Sequence, residues 1–131
     1  MKQTVTLTIT SLLSILLFVS HWADEVARRV ETGGVSGLFG VLILVVWLYG
    51  TLVLAERRSG YIIMLLGGIF GLGVLILHMR GAGLVGGRIA NAGEIRIFFW
   101  VWTLLALGAI STISALLSAR GLWSLRRGQS R

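Results

Sequence analysis

The sequence contains no cysteine and no proline, and only five of its 131 residues are acidic. The missing cysteines exclude disulfides, thiolate metal sites, iron–sulfur clusters and thiol nucleophiles. Charged residues make up only 13% of the chain, whereas a soluble domain carries about 25%. Apolar residues make up 56%, so the chain has too little polar surface for a water-soluble fold. Its length predicts a single domain, residues 1–131.

Four long apolar stretches lie between the lysines and arginines, and their only ionisable side chains are two histidines. A helix needs about 20 apolar residues to cross a ~30 Å hydrocarbon core. The second stretch has no polar face at any helical angle, which argues against a soluble four-helix bundle. We therefore predict an all-α integral membrane protein, an up-down bundle of four transmembrane helices. The predicted spans are Val5–Ala23, Val35–Ala55, Tyr61–Met79 and Ile97–Ala119.

The basic residues are unevenly divided between the two ends of such a bundle. The end with both termini and the turn between spans two and three carries seven of the twelve, and the other end carries five. Because cytoplasmic segments are enriched in Lys and Arg, we expect both termini in the cytoplasm and the protein in a bacterial inner membrane. The bilayer is the expected partner, and nucleic acid is not. The seven are Lys2, Arg57, Arg58, Arg120, Arg126, Arg127 and Arg131; the five are Arg28, Arg29, Arg80, Arg88 and Arg96.

Small residues on spans three and four predict close helix contacts. Lipid supplies no hydrophobic force between helices, so association depends on small side chains that let backbones approach. Span three has a pair of glycines four residues apart, and small residues of span four share one helical face. The sequence leaves open whether these faces meet within one chain or between copies in a homo-oligomer. The predicted packing residues are Gly67, Gly71, Gly108, Ser111, Thr112 and Ala115.

A possible ligand pocket is indicated at the predicted extracytoplasmic end of the bundle. His21, His78 and Trp100 each lie within about one helical turn of that boundary, and Glu25 follows His21 on the same helix face. Ionisable side chains inside membrane spans are costly and usually face the bundle interior or a cavity. These four residues are therefore the candidate binding residues.

Several chemistries are compatible with this set. Two histidines on different helices are suited to ligate a haem b iron axially. With Glu25 they are suited to bind a divalent metal, or to relay protons, and Trp100 suits a quinone headgroup. The alternative is purely structural. In this interpretation the histidines reach interfacial water at the helix ends. Asp24 and Glu25 then form i,i+4 ion pairs, Asp24 with Arg28 and Glu25 with Arg29.

Catalysis finds little support in the sequence. The serines lie on packing faces with no histidine nearby in sequence, and the spans contain no paired carboxylates. We expect a non-catalytic, cofactor-free structural or accessory protein that self-associates or joins a larger membrane complex. The first alternative is a redox or ligand-binding protein with a haem, quinone or metal site. The second is a small transporter or channel, which the absence of mid-membrane charge and of proline disfavours.

Overall fold

The computed structural model describes residues 2–27, 35–79 and 94–128, and over these ranges the chain forms helices and no strand. The helices are α1 (Lys2–Ala27), α2 (Val35–Leu52), α3 (Arg58–Met79) and α4 (Glu94–Gly128). This confirms the predicted all-helical class. Helices α1, α3 and α4 are long and apolar enough to cross a membrane, whereas the apolar segment of α2 is shorter, Gly37–Leu52.

A five-residue turn, residues 53–57, joins α2 to α3. Its Arg57 N–H donates to the Leu54 carbonyl at 2.9 Å. Gly60 packs on the same carbonyl, where any Cβ would overlap the oxygen. The tight turn requires this close approach, so α2 ends at Leu52, three residues before the predicted end of the second span.

Helix α4 continues nine residues beyond the predicted end of the fourth span, to Gly128. The basic residue at position 120 limits the apolar stretch, but it does not interrupt helical hydrogen bonding. Leu122 and Leu125 of the extension pack against a core cluster that contains Tyr61 and Met64. The extension is thus held by tertiary contacts with the start of α3.

Helices that follow one another in the chain run antiparallel, and so do α1 and α4, so the four helices form an up-down arrangement. The most extensive packing is that of α4 against α3 and α1, while α2 lies at the edge against α3 and α1. The contacts that establish these directions are Ser11–Thr51 and Trp22–Gly40 for α1 and α2, Gly50–Ile63 and Trp47–Gly67 for α2 and α3, Leu75–Gly108 and Tyr61–Gly121 for α3 and α4, and His21–Thr103 for α1 and α4.

Two of the predicted packing glycines contact large or polar side chains of neighbouring helices. Gly67 lies against the Trp47 indole, and a Cβ at this position would overlap the ring. Gly71 lies against the Ser111 side chain, whose hydroxyl a Cβ would overlap. Both contacts join helices of the same chain.

The other predicted packing residues lie on α4. Gly108 receives the Leu75 side chain, which a Cβ would overlap, and the Ala115 methyl would lie 3.0 Å from a Cβ at Gly68. Thr112 is half-buried, and its hydroxyl donates to the Gly108 carbonyl within the same helix at 2.7 Å. The small face of α4 thus packs mainly on α3.

Polar groups are concentrated inside the bundle and large apolar groups outside. On α2, Leu38 is 73% exposed and Phe39 is 62% exposed. Contiguous apolar surface of this kind is rare on soluble monomers, whereas acyl chains solvate it readily. The fully buried hydroxyls belong to Ser11, Ser14, Thr51, Ser111, Ser114 and Ser118.

Candidate functional site

Three ionisable side chains meet where α1 and α3 end. His21 and Glu25 lie one turn apart on α1, and His78 lies near the end of α3. His78 Nε2 is 2.8 Å from Glu25 Oε1, and His21 Nε2 is 3.5 Å from the same oxygen. We call these three residues the His–Glu cluster, in which one carboxylate oxygen contacts both imidazoles.

The cluster is largely shielded from solvent. The side chain of His21 is 1% exposed, that of Glu25 11% and that of His78 30%. The expectation that His21 reaches interfacial water is therefore wrong, because its ring points into the bundle. The alternative partners proposed for the acids, residues 28 and 29, lie outside the described ranges.

The hydrogen bond at His78 Nδ1 determines which nitrogen of that ring carries the hydrogen and which carries the lone pair. Nδ1 is 2.8 Å from the Val74 carbonyl oxygen. Because a carbonyl only accepts, Nδ1 carries the hydrogen, and in the neutral ring Nε2 carries the lone pair. Nε2 faces the Glu25 carboxylate, which also presents lone pairs, so a proton or a metal ion must lie between them.

The same reasoning applies to His21. Its Nδ1 is 3.3 Å from the hydroxyl oxygen of Thr103, whose single hydrogen has the carbonyls of Phe99 and Trp100 as acceptors at 2.9 and 3.1 Å. With that hydrogen donated to a carbonyl, the hydroxyl oxygen accepts from His21 Nδ1–H, and Nε2 carries the lone pair. This Nε2 is buried and has no hydrogen-bond partner within the described residues.

The donor set fits a transition metal. One atom from each of the three side chains lies within 4.8 Å of the other two. Zinc binds histidine nitrogen at about 2.0–2.1 Å and carboxylate oxygen at about 2.0–2.2 Å, so its tetrahedral ligand atoms lie about 3.3–3.5 Å apart. This separation falls within the range that the three side chains span here, from 2.8 Å to no more than 4.8 Å. Two histidines and a carboxylate are a known zinc set that leaves a fourth position open.

A pocket of about 260 Å³ adjoins the His–Glu cluster and is lined by residues of α1, α2 and α3. Apart from the cluster, its walls are apolar and mostly aromatic. We call it the site pocket. Its remaining lining residues are Phe18, Trp22, Phe39, Gly40, Ile43, Phe70 and Val74.

Trp100, the fourth predicted site residue, packs on both histidines. Its ring centroid is 5.4 Å from that of His21 and 5.8 Å from that of His78. Its Nε1 is buried and has no hydrogen-bond partner among the residues that the structure describes. The structure thus brings all four predicted site residues together, with Trp100 supporting the imidazole rings.

The haem alternative does not fit this geometry. A bis-histidine haem requires a porphyrin plane between the two ligating nitrogens, but here both nitrogens face one oxygen of Glu25. The ring centroids of His21 and His78 are only 5.3 Å apart. A site pocket of about 260 Å³ is also smaller than the ~300–1,000 Å³ of sites for drug-sized ligands.

Thr103 is the site residue that the sequence analysis missed. It lies three residues after Trp100, one turn along α4, and this spacing is the signal that was present. Its role depends on how α4 is positioned against α1, which a single sequence does not encode.

Comparisons of the chain with protein-family models, with curated proteins and with solved structures find no match. The chemistry of the site must therefore be inferred from its own atoms. Those atoms comprise two oriented imidazoles, one carboxylate and an adjoining apolar pocket.

Proposed function

We propose that this protein is a four-helix integral membrane protein that binds one divalent transition metal ion, best Zn²⁺, through His21, Glu25 and His78. The observation that carries the proposal is the direction of the hydrogen bonds at both Nδ1 atoms. Each leaves an Nε2 lone pair directed at the same carboxylate oxygen. Histidine ligands in metalloproteins are oriented by the same kind of outer hydrogen bond.

A metal ion satisfies this arrangement better than a proton does. A proton between His78 and Glu25 serves only that pair, and the buried Nε2 of His21, 3.5 Å from the same oxygen, gains no hydrogen bond from it. An unpaired buried polar atom costs about 1–3 kcal/mol. A metal ion accepts all three donors at once.

The role expected first from the sequence, a structural protein that self-associates through small-residue faces, receives less support from the packing. Gly67, Gly71 and Gly108 each contact a side chain of the same chain. The surfaces that motivated self-association are thus already used within one bundle.

In the proposed topology all four helices cross the inner membrane of a bacterium, with both termini cytoplasmic. Helix α2 has 18 residues, about 27 Å at 1.5 Å per residue, close to the ~30 Å hydrocarbon thickness. Arg57 in the turn before α3 and Arg58 at the start of α3 would face the cytoplasm. The His–Glu cluster would then lie at the extracytoplasmic end, where metal from outside reaches it without crossing the membrane.

Metal titration of the purified protein tests the proposal. The absence of cysteine removes thiolate background, so Co²⁺ and Zn²⁺ binding can be followed directly. We expect one ion per chain, with affinity reduced by more than about 100-fold in His21→Ala, His78→Ala and Glu25→Gln, since even outer-shell losses cost about 10–100-fold.

The matched control is Asp24→Asn, which removes the neighbouring carboxylate and leaves the three ligands in place. We expect this variant to bind Co²⁺ and Zn²⁺ with the affinity of the wild type. Retained binding in the His21→Ala/His78→Ala double variant, with helicity and elution volume unchanged, would overturn the proposal.

A further inference from the structure

The site pocket adjoins an apolar groove between α2 and α3. The groove has a volume of about 380 Å³, and Ile43 and Phe70 line both it and the site pocket. Val74 beside the cluster and Ile63 at the far end of the groove are eleven positions apart on α3, about 16.5 Å at 1.5 Å per residue. A polar site and a long apolar groove thus lie next to each other along one helix seam. We call it the α2–α3 groove.

The α2–α3 groove is suited to an apolar chain and to little else. Trp47 contributes its ring to the wall, but its Nε1–H is already donated to the Ser11 hydroxyl at 3.0 Å. The remaining lining is aliphatic, aromatic or glycine. Because none of these side chains offers a free polar atom, a polar ligand would lose its hydration there without compensation.

The groove also opens toward the surroundings of the bundle. Val46 and Leu66, which line it on opposite helices, are 47% and 60% exposed. In a bilayer these positions face acyl chains, so a lipid can enter sideways between α2 and α3.

We infer that the metal site and the α2–α3 groove together bind a single-chain lipid with an anionic oxygen headgroup, a carboxylate or a phosphate. This inference rests on the proposed metal site. A divalent ion with neutral histidines and one carboxylate carries a formal charge of +1, which favours an anionic oxygen as fourth ligand. The single groove accommodates one tail.

The test uses Co²⁺-loaded protein in nanodiscs of diacyl phosphatidylcholine, because the visible absorption of Co²⁺ reports a new ligand. Palmitate and hexadecyl phosphate are the long-chain probes, and acetate and inorganic phosphate are their short counterparts. We expect the long-chain probes to change the spectrum at concentrations at least tenfold lower, about the effect of burying two methylenes.

A matched pair of groove variants separates tail binding from partition into the bilayer. Leu66→Trp fills the groove, whereas Ile69→Trp introduces the same side chain at an exposed position of α3 outside it. We expect only Leu66→Trp to weaken palmitate binding, by about tenfold or more, with Co²⁺ and acetate binding unchanged.

The outcomes separate the two proposals. Normal Co²⁺ binding with equal responses to palmitate and acetate, or equal behaviour of the two tryptophan variants, overturns the lipid inference and leaves the metal site standing. Failure of Co²⁺ to bind overturns both. A response to only one long-chain headgroup supports the inference and identifies the headgroup.

Discussion

At the scale of single residues, the two histidines of the site are oriented in different ways. The Val74 backbone carbonyl holds His78, and the Thr103 side chain holds His21. A backbone carbonyl cannot be removed by substitution, but a hydroxyl can. Thr103 therefore offers the cleanest test of whether ligand orientation determines metal affinity.

We predict that Thr103→Val lowers Zn²⁺ affinity by about 10–100-fold, as is typical when an outer-shell partner of a histidine ligand is lost. Valine has a similar shape but cannot accept the His21 Nδ1–H, so the ring can rotate or change tautomer. Competition against a chelator measures the affinity. Thr103→Ser should recover most of it, and a Thr103→Val protein that binds as tightly as the wild type would contradict the assigned role.

The candidate site residues could be predicted because depth along a helix and position on its face follow directly from the sequence. This placed His21, His78 and Trp100 at one level and Glu25 on the His21 face. The sequence did not determine the partner of Glu25, since Arg29 at i+4 and His78 on another helix compete for it. The rotation of each helix about its axis, which tertiary packing sets, decides such cases.

At the scale of helix pairs, α3 and α4 are held together at positions where glycine has no substitute. We predict that Gly71→Ala destabilises the protein by about 1–3 kcal/mol, the usual cost of overpacking, because its Cβ would overlap the Ser111 hydroxyl. Thermal unfolding in detergent measures the change. Adding Ser111→Gly should restore much of the stability.

Gly73→Ala is the control on the same helix. A Cβ there has no atom within 4 Å, and alanine is favoured over glycine in a helix interior by about 0.5–1 kcal/mol. We expect this variant to be as stable as the wild type or slightly more stable. Equal destabilisation by the two substitutions would indicate that the contact with Ser111 is unimportant.

The helix limits were only partly predictable. Gaps between charged residues define how much apolar length is available, but the end of a helix is set by the local backbone contacts that stop its hydrogen bonds. Gly60 and Leu54 make a tight turn that ends α2 early, whereas Arg120 lies within a continuous α4. Charge positions thus define the available apolar length but not the helix end.

At the scale of the whole molecule, composition predicts an apolar outer surface but not the neighbours of each helix. The apolar excess predicts the exposed Leu38 and Phe39, since acyl chains can solvate them. It does not predict that α2 packs at the edge and leaves a groove beside Gly67. That arrangement depends on the bulk of the Trp47 ring, which lies between the two helices.

The proposed topology makes a prediction that depends on α2. Ala27 is the last residue of α1 and Ser59 is the second residue of α3, and both are exposed, so they lie on opposite sides of the membrane only if α2 crosses it. The chain has no cysteine, so Ala27→Cys and Ser59→Cys each introduce a single thiol. We expect a membrane-impermeant maleimide to label Ala27→Cys in intact bacterial cells and Ser59→Cys only after permeabilisation, because arginines at 57 and 58 favour the cytoplasmic side. The reverse pattern would invert the orientation and put the His–Glu cluster at the cytoplasmic end. Labelling of both variants from outside would mean that α2 does not span the membrane. The α2–α3 groove would then face water, and a lipid tail could not enter it sideways from the bilayer.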